Sequence, residues 1–457
     1  MIPAKLTGEE IEELKQQSAV HFWPHARQAG NMSDETGVKV VTKGKGVWVE
    51  DVDGKRWFDV ISGLWLKNIG HGRKEIAEAV YEQMQNISFS PGGTVSPITI
   101  KVAARIASLA PDKDSRIYFV SGGAEANETA LKMAKNYHFN NGQASRWKVI
   151  SRRGSYHGAT YACMGLGGGG INAPTNFGPL MPGNIHVNQP NQYRCLYCSD
   201  RGGCNLECAR DVDRAIVAEG PSTVAAFIGE PISAAAGIYV PHHEYWPTIR
   251  EICDRHGVLL ICDEVITGFG RTGKMFATEN WGVKPDIFTV AKALTGGYLP
   301  IGAAIAAKHI SDAFIGEDST TFAHLITFGG NPPVCAAADT TLDIMQRENI
   351  VENSARMGDY LFEKLQSLYE HRIVGDVRGG MGLLAALELV QDRETRKSFP
   401  KEAQLAPKVN SLMNQHGLLG RGGDIISLAP PLNVTSDEID YLVDHIDQIL
   451  TELETQL

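Results

Sequence analysis

The sequence predicts an α/β fold, in which a large domain with a mostly parallel sheet covered by helices is joined to a smaller α+β domain. Between residues 116 and 307, short apolar runs alternate with longer segments of helical periodicity, a pattern typical of a parallel sheet covered on both faces. After Pro332 long amphipathic helices dominate, which indicates a separate layered unit. We therefore assign residues 66–331 to the large domain, and residues 1–65 and 332–457 to the small domain.

Each element has its own signal in the sequence. The first sixty residues predict a helix at Gly8–Phe22 and a hairpin around Asp53-Gly54. The strands predicted for the large domain are Arg116–Val120, Trp147–Ser151, Val224–Ile228, Val258–Cys262, Ile287–Ala291 and Gly302–Ala306. The helices predicted between them are Glu125–Phe139, Cys208–Glu219 and Glu244–His256. The elements predicted after Pro332 are helices at Val334–Arg347, Val351–His371, Ala403–His416 and Ser436–Glu454, and strands at Gly382–Leu389 and Ile425–Leu428.

Composition narrows the class of protein. The 457 residues carry a net charge of -10 and contain no block of lysine or arginine, so nucleic acid is not an expected partner. Because no apolar run is long enough to span a bilayer and the first residues do not resemble a secretion signal, we expect no membrane partner and a cytoplasmic location.

Two charged residues stand at the ends of apolar runs. Asp263 follows Val258–Cys262, and Lys292 follows Ile287–Ala291. A buried amine or carboxylate is costly unless a ligand or partner compensates it, and the carboxyl ends of parallel strands lie at one edge of a sheet. We therefore expect the two to meet. Pyridoxal phosphate needs both, a lysine for its Schiff base and an anion that keeps its ring nitrogen protonated.

Three further segments lie at predicted strand ends. Ser121-Gly122-Gly123-Ala124 opens a helix, so its backbone amides are suited to bind a phosphate; alone it would be interpreted as an ordinary turn. Tyr156 could stack on a flat cofactor or simply cap a surface loop. Glu230 could hydrogen-bond into the site or be solvated beyond the sheet.

In order along the chain, these segments resemble the class III, or ω-type, pyridoxal-phosphate-dependent aminotransferases. The resemblance covers essentially the whole chain and rests on Ser121–Lys132, Tyr156-His157-Gly158, Glu230-Pro231-Ile232, Asp263–Gly273, Pro285-Asp286 and Ala291–Gly297. It implies the fold-type-I architecture, pyridoxal 5'-phosphate as cofactor, and a homodimer or dimer of dimers with shared active sites.

The resemblance also implies roles for individual residues. Lys292 would bind the cofactor covalently and move the substrate proton, and Asp263 would pair with the ring nitrogen. The residues that would surround the rest of the cofactor are Gly122, Gly123 and Ala124 at the phosphate, Tyr156 and Val265 on the two ring faces, His157 and Glu230 near the ring, and Thr327 from the neighbouring subunit.

Substrate residues follow from the same resemblance. Trp65 and Trp23 would line the pocket, and Arg421 would clamp the carboxylate of the acceptor, although a core tryptophan and a surface arginine are the plain alternatives. Ile266 stands where enzymes acting on ornithine or 4-aminobutyrate carry glutamine, which favours the ω-amino acid or amine:pyruvate branch.

The expected reaction moves an amino group from a primary amine or ω-amino acid to pyruvate or another small 2-oxo acid, through the lysine Schiff base and pyridoxamine phosphate. Alternatives on the same fold are an aminomutase, a racemase, a decarboxylase, or a 2-oxoglutarate-dependent aminotransferase. A dinucleotide-binding dehydrogenase is disfavoured because the chain lacks the glycine motif between strand and helix.

Four cysteines, Cys195, Cys198, Cys204 and Cys208, lie within fourteen residues. The first pair has the spacing of a metal knuckle, and a non-catalytic metal-binding protein would be the alternative from a different class. The second pair suits a helix turn better, so we expect free or loosely paired thiols and no metal.

Overall fold

A seven-stranded sheet spans the region where the sequence predicts one, in a computed structural model that describes residues 6–26, 39–168, 176–198 and 203–457. The helices of these residues are α1 (Gly8–His21), α2 (Ser62–Trp65), α3 (Lys74–Asn86), α4 (Pro97–Leu109), α5 (Gly123–Asn140), α6 (Tyr161–Leu166), α7 (Glu207–Glu219), α8 (Tyr245–His256), α9 (Lys308–Asp312), α10 (Pro332–Arg347), α11 (Ile350–Leu365), α12 (Leu405–Gln415) and α13 (Ser436–Gln456). The strands are β1 (Val41–Lys45), β2 (Trp48–Asp51), β3 (Arg56–Asp59), β4 (Arg116–Val120), β5 (Lys148–Arg152), β6 (Asn184–Val187), β7 (Val224–Gly229), β8 (Leu259–Asp263), β9 (Ile287–Val290), β10 (Gly302–Ala306), β11 (Val374–Gly379), β12 (Ala385–Leu389), β13 (Leu418–Leu419) and β14 (Ile425–Leu428).

The large sheet has the order β4-β10-β9-β8-β7-β5-β6. Strands β9, β8, β7, β5 and β6 pair in parallel, which confirms the mostly parallel sheet. Strand β10 is antiparallel to both neighbours, because the chain returns from β9 through a single 3-10 turn rather than a crossover helix. The predicted strand at Gly302–Ala306 is therefore the antiparallel member of the mostly parallel sheet. Strand β6 was missed because its Asn-Ile-His-Val sequence lacks an apolar run.

Burial explains why the central strands are so apolar. Every residue of β7 and β8 is buried, and helices such as α5 and α8 cover the two faces of the sheet. A strand that is covered on both faces has no solvent side for polar residues, so its only charged residue stands where it ends. For β8 that residue is Asp263.

Two smaller sheets are built from the ends of the chain. Strand β13, near the C-terminus, pairs in parallel with β3 of the N-terminal hairpin, so both ends of the chain contribute to one four-stranded sheet. The second sheet, β11-β12-β14, is antiparallel. Strand β11 was not predicted, because Gly375, Asp376, Arg378 and Gly379 interrupt its apolar character.

A buried arginine holds these parts together. The Arg271 guanidinium donates hydrogen bonds to Ser62 Oγ (2.9 Å) and Asn68 Oδ1 (2.8 Å), and to the carbonyl oxygens of Leu383 (3.1 Å) and Pro430 (2.7 Å). Removal from water lowers the pKa of Arg271 to about 9, so it keeps its charge at neutral pH. One side chain thus joins the N-terminal segment, the loop after β8 and two C-terminal segments.

None of the helices within the described residues combines the length and the apolar character that a membrane crossing requires.

Replacing Arg271 with methionine should lower the free energy of unfolding by about 3 kcal/mol or more, since four acceptors lose a buried charged donor. Urea unfolding followed by circular dichroism measures this loss. The matched control is Arg356→Met, which removes one exposed hydrogen bond to Asn353 and should change stability by under about 1 kcal/mol. Equal stability of the two variants would contradict the bridging role.

Candidate active site

Functional side chains collect at the carboxyl edge of the large sheet. Because β4, β5, β7, β8 and β9 all run in the same direction, the residues that follow them lie at one edge. The residues at these ends are Gly122 after β4, Tyr156 and His157 after β5, Glu230 after β7, Asp263 at the end of β8, and Lys292 after β9. The structure thus brings Asp263 and Lys292 together, as their positions in the sequence suggested.

Asp263 is buried and fully hydrogen-bonded. Its Oδ2 accepts from Asn127 Nδ2 and pairs with His157 Nδ1, both at 2.8 Å, and its Oδ1 accepts from the Val265 amide at 3.0 Å. Burial alone would raise the pKa of Asp263, but the hydrogen bond and charge of His157, with the Val265 and Asn127 donors, lower it overall. The carboxylate is therefore an anion with a fixed orientation.

Asn127 is a positioning residue that the sequence analysis missed. Its Nδ2 donates to Asp263 Oδ2 and to the His157 carbonyl oxygen, and its Oδ1 accepts from Thr289 Oγ1 at 2.7 Å, which fixes the direction of the amide. One signal could have revealed it. Asn127 shares a helical face with Ala130, Leu131 and Ala134, and a polar amide on such a buried face needs partners.

Glu230 is held in the site rather than solvated. Its Oε1 accepts from the Tyr156 amide (3.2 Å) and Ser233 Oγ (3.1 Å), and its Oε2 accepts from Arg152 Nη2 (3.1 Å). Arg152 is completely buried and was also missed. The sequence feature that pointed to Asp263 is also present here, because Arg152 is a charged residue at the end of an apolar strand.

His157 lies between the two carboxylates. Its Nδ1 is 2.8 Å from Asp263 Oδ2, and its Nε2 is 3.9 Å from Glu230 Oε2. Burial would lower the pKa of His157, but the hydrogen bond to Asp263 and the charges of Glu230 and Asp263 raise it overall. His157 in turn helps to lower the pKa of Asp263.

Lys292 has an unusual backbone and a weakened basicity. Its φ of 36° lies in the left-handed region, which is strained for a residue other than glycine and often marks a functional position. Burial lowers the pKa of Lys292 to about 8, although Asp263 and Glu230 partly oppose the shift. A substantial fraction of this amine is neutral near pH 8 and can act as a nucleophile or a base.

The first turn of α5 presents backbone amides at the same edge. Gly122 is its N-cap, and the first amides of a helix have no partner within the helix, so they can bind a phosphate. A Cβ on Gly123 would lie 2.9 Å from Val265 Cγ1. Only glycine therefore lets this turn approach the end of β8, where Val265 also donates to Asp263.

The remaining predicted residues lie in different settings. Trp65 is half-buried with a φ of 64°, and Arg421 is exposed just after β13, which pairs with the strand leading to Trp65. Thr327 is exposed in the single chain. Trp23 is 82% exposed, and no contact found among the described residues joins it to the other site residues.

These features fit pyridoxal phosphate. A buried anion suits its ring nitrogen, a partly neutral lysine suits its aldehyde, and a helix N-terminus suits its phosphate. Residues 30–450 match the sequence model of the family described as Aminotransferase class-III. The chain belongs to this family. Class III aminotransferases depend on pyridoxal phosphate, so this chain is a transaminase that uses this cofactor.

Known proteins resemble this transaminase along almost its whole length. An (S)-enantioselective ω-transaminase from Thermomicrobium roseum is 39% identical with a TM-score of 0.90, over 98% of this chain and 99% of that one. A pyridoxal-phosphate-bound amine transaminase from an uncultivated Pseudomonas species is 37% identical with a TM-score of 0.90, over 94% and 98%. The putrescine–pyruvate aminotransferase of Pseudomonas aeruginosa is 34% identical, over 96% and 97%.

Replacing Asn127 with alanine should lower kcat/KM about tenfold or more, because Asp263 loses a charged hydrogen bond worth about 1.5–3 kcal/mol. Steady-state kinetics at saturating cofactor measures the loss. On the same helix, Asn136→Ala is the matched control, since Asn136 bonds only to Asn140 and its loss should leave kcat/KM unchanged. An Asn127→Ala enzyme with native kcat/KM would refute the positioning role.

Covalent attachment of pyridoxal phosphate to the cofactor-free chain should follow the neutral fraction of Lys292. Below its pKa of about 8 the rate should fall roughly tenfold per pH unit, and above it the rate should level off. Stopped-flow absorbance measures this profile. Glu230→Gln removes a charge that raises the pKa of Lys292, so the midpoint should move to lower pH. A rate that keeps rising to about pH 10 would show an unshifted lysine.

Proposed function

We propose that this enzyme transfers an amino group from a primary amine or ω-amino acid to pyruvate. The observation that carries the proposal is the placement of Lys292 beside Asp263 and Glu230 at the sheet edge, in a chain 34–39% identical to amine and putrescine transaminases. The electrostatics of the site supply the acid, the base and the fixed anion that amino transfer requires.

Bound pyridoxal phosphate supplies a ring that accepts electrons from the substrate carbon. Asp263 would keep the ring nitrogen protonated, because its own pKa is lowered and His157 and Asn127 hold its orientation. Lys292 Nζ takes the substrate proton in one direction and returns it in the other, which a pKa of about 8 permits near neutral pH. Tyr156 and Val265 would hold the cofactor ring between them. Glu230 would support the site, since it accepts hydrogen bonds from Arg152 and from the Tyr156 amide.

The acceptor assignment rests on Arg421 and Ile266. Arg421 is exposed in the loop after β13, and a guanidinium suits an acceptor carboxylate because it can bind one in a bidentate manner. Ile266 is buried beside Asp263 and offers no polar group to a longer, second carboxylate. Pyruvate, with one carboxylate, suits this pair better than 2-oxoglutarate. Trp65, held half-buried, and Trp23 border the donor side of the pocket in this proposal.

The proposed active unit is a homodimer in the cytoplasm, or a dimer of such dimers, with shared active sites. Its support is the segment around Thr327, where Leu325 is 82% and Phe328 is 60% exposed and the Phe328 ring contacts that of Phe89, itself 42% exposed. Apolar side chains exposed in this way favour a protein interface. The partner's Thr327 would then bind the cofactor phosphate.

A half-reaction tests the proposed chemistry. Mixed with an amine donor alone, the holoenzyme should convert its cofactor stoichiometrically to the amine form and then stop, and pyruvate should restore it. Absorbance spectroscopy follows both steps, with donors that include diamines, ω-amino acids and aryl amines. Continued turnover without an oxo acid would favour a racemase, aminomutase or decarboxylase instead, and a preference for 2-oxoglutarate would overturn the pyruvate assignment.

Variants separate chemistry from folding in this test. Lys292→Ala should lower the half-reaction rate by about 10³ or more, because both nucleophile and proton carrier are lost. Lys308→Ala is the matched control, an exposed lysine paired with Asp312, and should keep the native rate.

A further inference from the structure

We propose that Cys195, Cys198, Cys204 and Cys208 form a structural zinc site. All four line one small pocket, formed by the loop after β6 and the first turn of α7. None of the four is in a disulfide. The sequence predicted free or loosely paired thiols and no metal, because the spacing of the second pair suits a helix turn. The fold brings that second pair to the same pocket as the first pair.

The backbone around the first pair has the arrangement of a metal knuckle. The amides of Tyr197 and Cys198 both donate to Cys195 Sγ, at 3.4 Å and 3.3 Å. The thiol of Cys198 donates to Asn205 Oδ1 at 3.2 Å, which holds the first pair against the turn that leads into α7. Amides directed at sulfur stabilise the thiolate, the form that binds a metal.

The chemistry of four thiolates selects the metal. A tetrahedral set of four sulfurs binds zinc or an iron–sulfur cluster. The pocket between the thiols has a volume of about 20 Å³, enough for a single ion. The site is therefore assigned to zinc.

Zinc would draw the sulfurs together. Among the described residues, no three of these sulfurs lie within 4.8 Å of one another, whereas sulfurs bound to one zinc at about 2.3 Å are about 3.8 Å apart. Rotation about χ1 moves a cysteine sulfur by up to about 3 Å, so the proposed site would close by changes of cysteine rotamer.

His242 lines the same pocket and belongs to the run His242-His243-Glu244, whose potential ligand atoms do lie within 4.8 Å of one another. His243 and Glu244 are exposed, and three consecutive residues leave an ion open to water. The thiols, which are half-buried or buried, form the more enclosed set.

Zinc here would hold a loop that supports the active site. On this loop Gln189 Nε2 donates to Ser233 Oγ at 3.1 Å, and Ser233 Oγ donates to Glu230 Oε1 at 3.1 Å. Tyr197 Oη donates to Asp211 Oδ2 at 2.6 Å, which ties the knuckle to α7. Loss of the metal should therefore lower the melting temperature clearly and lower kcat/KM only slightly.

The test measures metal in the holoenzyme, purified under reducing conditions without chelators. Elemental analysis should find one zinc per chain, next to one pyridoxal phosphate. After removal of zinc, Co²⁺ should bind with the sulfur-to-cobalt charge-transfer absorption of a tetrathiolate site. No zinc in the purified chain, combined with no uptake of zinc or Co²⁺, would overturn the proposal, as would disulfides among these cysteines.

The double variant Cys195→Ser/Cys198→Ser should lose the zinc but retain its pyridoxal phosphate, which shows that the chain is folded. Cys335→Ala, a buried cysteine of α10, is the matched control and should retain both. His243→Gln/Glu244→Gln should also keep the zinc. If that variant loses the metal while the cysteine variant keeps it, the site belongs to the histidine run and the assignment is wrong. If the double variant does not fold, the Co²⁺ spectrum of the wild-type chain decides.

Discussion

The active site depends on the burial of opposite charges at one edge of the large sheet. The carboxylates of Asp263 and Glu230 have almost no access to water, and the His157 ring and the Arg152 guanidinium lie against them. Each of these charges would be costly alone, and together they are tolerable because every carboxylate oxygen has donors. Lys292 completes the set, and its lowered pKa is the measurable result of that burial.

This charge arrangement also explains features that look unrelated to chemistry. Asn127 and Thr289 are polar residues in an apolar layer, and their mutual hydrogen bond directs the Asn127 amide at Asp263. Gly123 is small because the first turn of α5 must approach Val265, which itself fixes Asp263 Oδ1. The helix that offers its amides to a phosphate and the strand that offers a carboxylate to a ring are thus held at a set distance by direct contact.

A second buried charge organises the rest of the chain. Arg271 binds segments from both ends of the sequence, and β3 pairs with β13 beside it. The loop that carries Arg421 and the turn that carries Trp65 are therefore set relative to the large sheet by one guanidinium and one short pairing. In the proposed function, substrate selection and chemistry would be assigned to different parts of the fold.

The sequence by itself determined the fold class, the cofactor chemistry and the position of the central residues. Apolar runs predicted six of the seven strands of the large sheet, and a charge at the end of a run marked Asp263 and Lys292, because such charges are too costly to bury without a partner. Arg152 also stands at the end of such a run, but the sequence analysis did not single it out. Only the tertiary structure decided that Asn127, from a helix, and Arg152, from another strand, converge on these carboxylates, that β10 runs antiparallel, and that four cysteines share a pocket. Those outcomes depend on which elements pack together, and local periodicity carries no information about that choice.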